Sequence, residues 1–144
     1  MGTLVVPTRT WPHRDYRSDL AQLRRVRTDI ATDLADFSPD LVDTVQLCAG
    51  ELFANSVKYA YAEPDRIRLV LKQRDPRTLT LVVGDPGGPT VPHIPDRTPD
   101  AWDWAEGQRG LLLLDRLATT WGHFAYPRPT RLGTWITAHF PVHP

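Results

Sequence analysis

At 144 residues the chain has the length of one domain, enough to bury roughly 70% of its unfolded surface without disulfide staples. With 41% hydrophobic and 24% charged residues, the composition is globular and excludes a disordered or fibrous chain. Seventeen basic residues balance seventeen acidic ones, which removes the electrostatic footprint of a dedicated nucleic-acid binder and leaves only local patches.

In chain order, Leu4-Val5-Val6 reads as a short strand. From Asp19 to Phe37, residues Leu20, Leu23, Val26, Ile30, Leu34 and Phe37 fall on one helical arc about 120° wide. Ser38-Pro39 then reads as an N-cap followed by proline at the first helical position. It opens a second helix to about Ala60, with Leu41, Val45, Cys48, Leu52 and Tyr59 along its buried side. Ile67, Leu69 and Leu71 alternate with Arg68, Val70 and Lys72, which predicts a strand. A turn at Asp75-Pro76-Arg77 joins it to a buried strand at Leu79–Val83, so the two form a hairpin. Five prolines between Asp85 and Asp100 (Pro86, Pro89, Pro92, Pro95, Pro99) forbid helix and interior strand, and this is a long loop. Gly110 to Thr119 carries Leu111, Leu112, Leu113, Leu114 and Leu117 on more than one side, as a buried helix would. Gly122–Tyr126 and Thr134–Phe140 are strands around a further proline turn. This order predicts one α+β domain over 1–144, a two-layer sandwich of a mixed β-sheet with helices on one face.

Three segments carry chemistry. Glu51 and Asn55 lie four residues apart on the second helix, about 40° from one another and beside the apolar stripe. An ordinary helix flank carries such a pair as well. Gly84-Asp85-Pro86-Gly87-Gly88 follows the most apolar strand, and an acid followed by glycines lets a ligand approach backbone closely. Gly107-Gln108-Arg109-Gly110 opens the leucine helix, where free N–H groups and the positive end of the dipole suit phosphate. As glycine turns, the last two also have a purely structural use.

Taken in order, these segments resemble the nucleotide site of the GHKL superfamily, the histidine-kinase-like ATPases. Glu51-Leu52-Phe53-Ala54-Asn55-Ser56-Val57-Lys58-Tyr59-Ala60 resembles its N box, Asp85-Pro86-Gly87 its first glycine box and Arg109-Gly110-Leu111 its second. The short length, Asp40-Leu41-Val42-Asp43 running into Glu51-Leu52, and the ending Gly133-Thr134-Trp135 resemble bacterial anti-sigma-factor serine/threonine kinases. Stand-alone ATP-binding regulators of actinobacteria share this look. The likeness runs from about Asp19 to Phe140.

The resemblance implies a Bergerat-type ATP-binding fold with ATP and Mg²⁺ as cofactors. It implies that Asn55 holds the Mg²⁺ and that Glu51 is the general base acting on a partner's serine hydroxyl. Tyr59 stands at a nucleotide-side position where the family often has histidine. Asp85 would accept from the adenine amino group, and Gly87 would let the purine lie against backbone. Arg109, Gly110 and Leu111 would offer N–H groups to the phosphates, and Thr134 would lie near adenine. Residues 88–107, with Trp102 and Trp104, would form the ATP lid. The implied function is an ATP-binding anti-sigma regulator, a serine/threonine kinase that phosphorylates a STAS-type anti-sigma antagonist and sequesters a sigma factor. A homodimer is compatible with it. The alternative is a non-catalytic nucleotide-binding or partner-binding module, because Pro89 and Gln108 stand where the boxes usually carry glycine.

Other constellations point elsewhere or nowhere. The five histidines (His13, His93, His123, His139, His143) show no metal-ligand spacing. Arg24-Arg25-Val26-Arg27 reads as a solvated helix face, the alternative being a docking face for an acidic partner. Cys48, the single cysteine, reads as a small core residue and suits a reducing compartment. With no apolar run near roughly 20 residues and no signal-peptide core, the expectation is a cytoplasmic protein with no membrane or direct nucleic-acid partner.

Overall fold

Alternation along the strands and a 3.6-residue period along the helices build two layers. The computed structural model describes residues 9–59, 66–85, 109–127 and 132–142. Six strands form one sheet: β1 (Arg9–Thr10), β2 (Arg14–Arg17), β3 (Arg66–Asp75), β4 (Thr78–Asp85), β5 (Thr120–Pro127) and β6 (Leu132–Pro141). Among the described residues three helices accompany it: α1 (Leu23–Asp33), α2 (Pro39–Tyr59) and α3 (Arg109–Leu117), with a 3₁₀ turn at Leu20–Gln22 ahead of α1. The strand order is β1-β3-β4-β6-β5, and β2 also pairs with β3. Every one of these pairings is antiparallel.

Register sorts the side chains by face. Leu69, Val83 and Ile136 stand opposite one another across β3, β4 and β6, and so do Leu71, Leu81 and Ala138. Both rows are buried, and Val26, Ile30, Val45, Cys48, Leu52, Phe53 and Leu114 from the helices, with Leu34 just past the end of α1, complete the same core. Each large apolar side chain taken fully from water stabilises the fold by about 1.5–3 kcal/mol. The opposite face of β3 carries Arg68, Val70, Lys72 and Arg74, which are exposed or half-buried. The result is an α+β sandwich with α1, α2 and α3 sharing one core face, as the order of elements predicts.

Ser38 caps α2 as expected, its Oγ accepting from the Leu41 N–H at 3.3 Å. The first helix is shorter than its apolar arc. Asp19 caps only the 3₁₀ turn, its side chain accepting from the Ala21 N–H, and α1 ends at Asp33, before Phe37. Strands β1 and β2 have no counterpart in the sequence reading, and the expected strand at Leu4–Val6 lies outside the described residues. In β2 only Tyr16 is apolar, and polar contacts tie the strand down. Arg14 donates to both oxygens of Asp33 at 2.9 and 2.7 Å, and Tyr16 donates to Asp29 at 2.8 Å. The leucine helix also differs from expectation. Leu114 is fully buried, but Leu113 is only half-buried, and Leu117 reaches water beside exposed Asp115 and Arg116. Thus α3 is amphipathic and lies on the core, not inside it. Among the described residues, no helix is long and apolar enough to cross a membrane.

Candidate functional site

Helix α2 supplies the first part of the site. Leu52 and Phe53 are buried to 1% exposure and Ser56 is buried a turn later, which fixes how the helix sits on the sheet. Glu51 is half-buried on the flank of that stripe, and Asn55 follows four residues later in the same helix. Cys48 lies one turn before Glu51 and is fully buried. Burial, and then the nearby Glu51 carboxylate, pushes its thiol up to about 12, so it stays protonated and takes no nucleophilic role. Helix α2 runs to Tyr59, and the expected end at about Ala60 lies outside the described residues.

The second part is the end of β4. Asp85 is its last residue, directly opposite Thr134 on β6, and Thr134 in turn stands opposite Ala125 on β5. The antiparallel register therefore makes neighbours of two positions far apart in the chain, both of which the family resemblance implies to be adenine-side groups. Gly84, just before the acid, is buried.

The third part is the start of α3, with Arg109, Gly110 and Leu111 as its first three residues. Among the described residues no acidic side chain occupies this first turn, and the positive end of a helix dipole suits an anion. Helix α2 packs against both α3 and β4. The elements that carry Glu51 and Asn55, Asp85, and Arg109 to Leu111 are thus joined through one helix. Gly87 and the expected lid, 88–107, lie outside the described residues.

One neighbour of the site escapes sequence reasoning. The guanidinium of Arg27 on α1 lies over Gly50, the residue before Glu51. A Cβ built on Gly50 would meet its Nε at 3.5 Å and its Nη2 at 3.6 Å. Gln46 holds the same segment of α1, its Nε2 donating to the Arg27 carbonyl at 2.9 Å. A glycine inside a helix that otherwise favours helix formers is the one sequence trace of this approach. Among the described residues, no three His, Cys, Asp or Glu side chains converge to hold a metal.

Comparison with known proteins gives two results. No match was found among curated proteins. The family model for the histidine kinase-like ATPase domain matches residues 15–140, from β2 through α1, α2 and α3 to β6. With nearly the whole chain covered, including the ends of all three site segments, the protein belongs to the histidine kinase-like ATPase domain family.

Proposed function

We propose that the protein is an ATP-binding regulator that phosphorylates a serine or threonine of an anti-sigma antagonist and sequesters a sigma factor. Family membership supports the ATP-binding part of this reading. What supports the rest is the packing of α2, which carries Glu51 and Asn55, against both β4, which ends at Asp85, and α3, which starts at Arg109. Phosphoryl transfer asks mainly for positioning and charge neutralisation, so this small set of groups is chemically sufficient.

In this reading the Asp85 carboxylate accepts from the adenine amino group, with Thr134 beside it across the strand register. The N–H groups of Arg109, Gly110 and Leu111 face the phosphates. The donor set fits Mg²⁺, since an amide oxygen at Asn55 joined to phosphate oxygens and water is hard-oxygen ligation of the kind Mg²⁺ prefers. Bound there, the ion would neutralise phosphate charge. Glu51 takes the proton of the partner's hydroxyl as that oxygen bonds to the γ-phosphorus, and the bond to the departing ADP breaks.

A second reading, a nucleotide-binding or partner-binding module without transfer, is favoured by Pro89 and Gln108 in place of box glycines. Labelled ATP and a purified antagonist separate the two. Glu51→Ala should keep ATP binding in calorimetry and lose transfer by roughly 10²–10⁴-fold, the usual worth of a general base. Asn55→Ala should lose both. Transfer that survives Glu51→Ala at the wild-type rate overturns the mechanism. A wild type that binds its partner and never ATP overturns the kinase reading.

A further inference from the structure

The face of the sheet turned away from the helices carries a trough of about 450 Å³. Its make-up follows from register. Val70 and Val82 stand opposite one another and floor it, while the next row brings Lys72, Thr80 and His139 side by side across β3, β4 and β6. Arg74, two residues beyond Lys72 on the same face of β3, closes the end. Thr80 is fully buried, and its hydroxyl is bound to His139 Nδ1 at 2.9 Å, which fixes the ring in the floor.

The charge here is unbalanced in a chain whose net charge is zero. Further along β3, Arg68 is neutralised by Asp15, its Nε and Nη2 donating at 2.8 and 3.1 Å. Lys72 and Arg74 have no carboxylate against them among the described residues. The nearest acid in sequence, Asp75, accepts instead from the Arg77 N–H at 2.7 Å. His139 feels the imbalance. Burial first, and then Arg74 and Lys72, hold its pKa below the ordinary 6.5.

We propose that this trough is a docking site for an acidic peptide segment of a partner protein, with carboxylates on Lys72 and Arg74 and apolar side chains on Val70 and Val82. Alternating acidic and apolar residues on an extended segment match adjacent basic and apolar rows. Two nearby cations over an aliphatic floor suit a peptide better than a nucleic acid, which asks for stacking rings: no Phe, Tyr or Trp among the described residues lines the trough, and the His139 ring is half-buried and held by Thr80. The site lies on the far side of the sheet from α2, so it stands or falls independently of nucleotide chemistry.

The test uses the full chain and a fluorescein-labelled decapeptide of alternating glutamate and valine, read by fluorescence anisotropy at pH 7. Lys72→Glu with Arg74→Glu should weaken binding at least tenfold. Arg24→Glu with Arg25→Glu, the same charge change on the exposed face of α1, should change it less than twofold. Circular dichroism melts check that both double variants fold. By NMR, the His139 ring pKa should rise when peptide is added. Besides the peptide it faces Lys72 and Arg74 of β3, Thr80 of β4 and Thr120 of β5, none of them an acid. No binding, or equal loss in both double variants, overturns the proposal. Loss only in the α1 variant moves the site to α1 and overturns it. Tighter binding of a single-stranded 12-mer DNA with the same Lys72 and Arg74 dependence assigns the face to nucleic acid. A dimer in sedimentation that these two substitutions dissociate assigns it to a second copy of the chain.

Discussion

Asp15 and Arg68 illustrate how one residue pair sets a pH window. The two stand opposite one another on β2 and β3, and the hydrogen bond from Arg68 holds the Asp15 carboxyl below its ordinary 3.8. A depressed carboxyl pKa contributes stability above the unfolded value and loses it as pH falls through the folded one. Asp15→Asn should therefore cost about 0.5–1 kcal/mol at pH 7, the range for a well-aligned exposed pair. In urea denaturation the difference from wild type should shrink as pH falls below the ordinary 3.8 and through the lowered folded value, and a constant difference would remove the ion pair as its cause. Tyr16, next along β2, tests a different interaction. Its ring is 3% exposed and meets Phe53 edge-on, with centroids 5.8 Å apart, while its hydroxyl donates to Asp29. Tyr16→Phe keeps the ring contact and removes only the donor, so it should lower stability by about 1–2 kcal/mol, measured by urea denaturation.

At the scale of elements, α2 is the piece on which the fold and the site both depend. Gly50 sits in its middle, where glycine costs about 1 kcal/mol relative to alanine. An added Cβ would meet the Arg27 guanidinium at 3.5 Å, an ordinary contact. Gly50→Ala should raise stability by about 0.5–1 kcal/mol in thermal unfolding, and a loss would mean that Arg27 needs the space. Sequence reading worked best where local signals agree. The Ser38-Pro39 cap, the stripe through Leu41, Val45, Cys48 and Leu52, and the alternation in β3 each point to one element. It failed where a distant partner decides. Arg14-Asp15-Tyr16-Arg17 has no apolar alternation, and it becomes a strand because Asp29, Asp33 and Arg68 are waiting for its side chains. The leucine run misled for the opposite reason. Composition says buried, but only tertiary packing decides that Leu114 goes inside while Leu117 faces water.

The whole molecule divides its labour between the two faces of one sheet. The helix-covered face joins α2 to β4 and α3, and the other face carries the basic trough. The residues of the candidate site were legible as short motifs, but their grouping was not. Asp85 and Thr134 are neighbours only because β6 inserts between β4 and β5, a non-local pairing that no spacing within either strand announces. That pairing suggests how nucleotide binding should act on the entire fold. A ligand held by β4, α2 and α3 at once binds the folded chain and not the unfolded one, so it raises stability by mass action. At a hundred times its dissociation constant, ATP with Mg²⁺ should add about 2.7 kcal/mol, or roughly 5–10 °C in melting temperature for a domain of this size. Asp85→Asn removes one charge-assisted hydrogen bond, typically worth about 1.5–3 kcal/mol, and so weakens ATP at least tenfold. At the same ATP concentration the gain should fall to about 1.4 kcal/mol or less, halving the shift. The melting temperature without nucleotide should barely move, since Asp85 ends its strand. Differential scanning fluorimetry of both proteins, with and without ATP and Mg²⁺, reads all four values. Equal shifts in wild type and variant would remove the contact between Asp85 and adenine, and no shift in wild type would remove ATP itself.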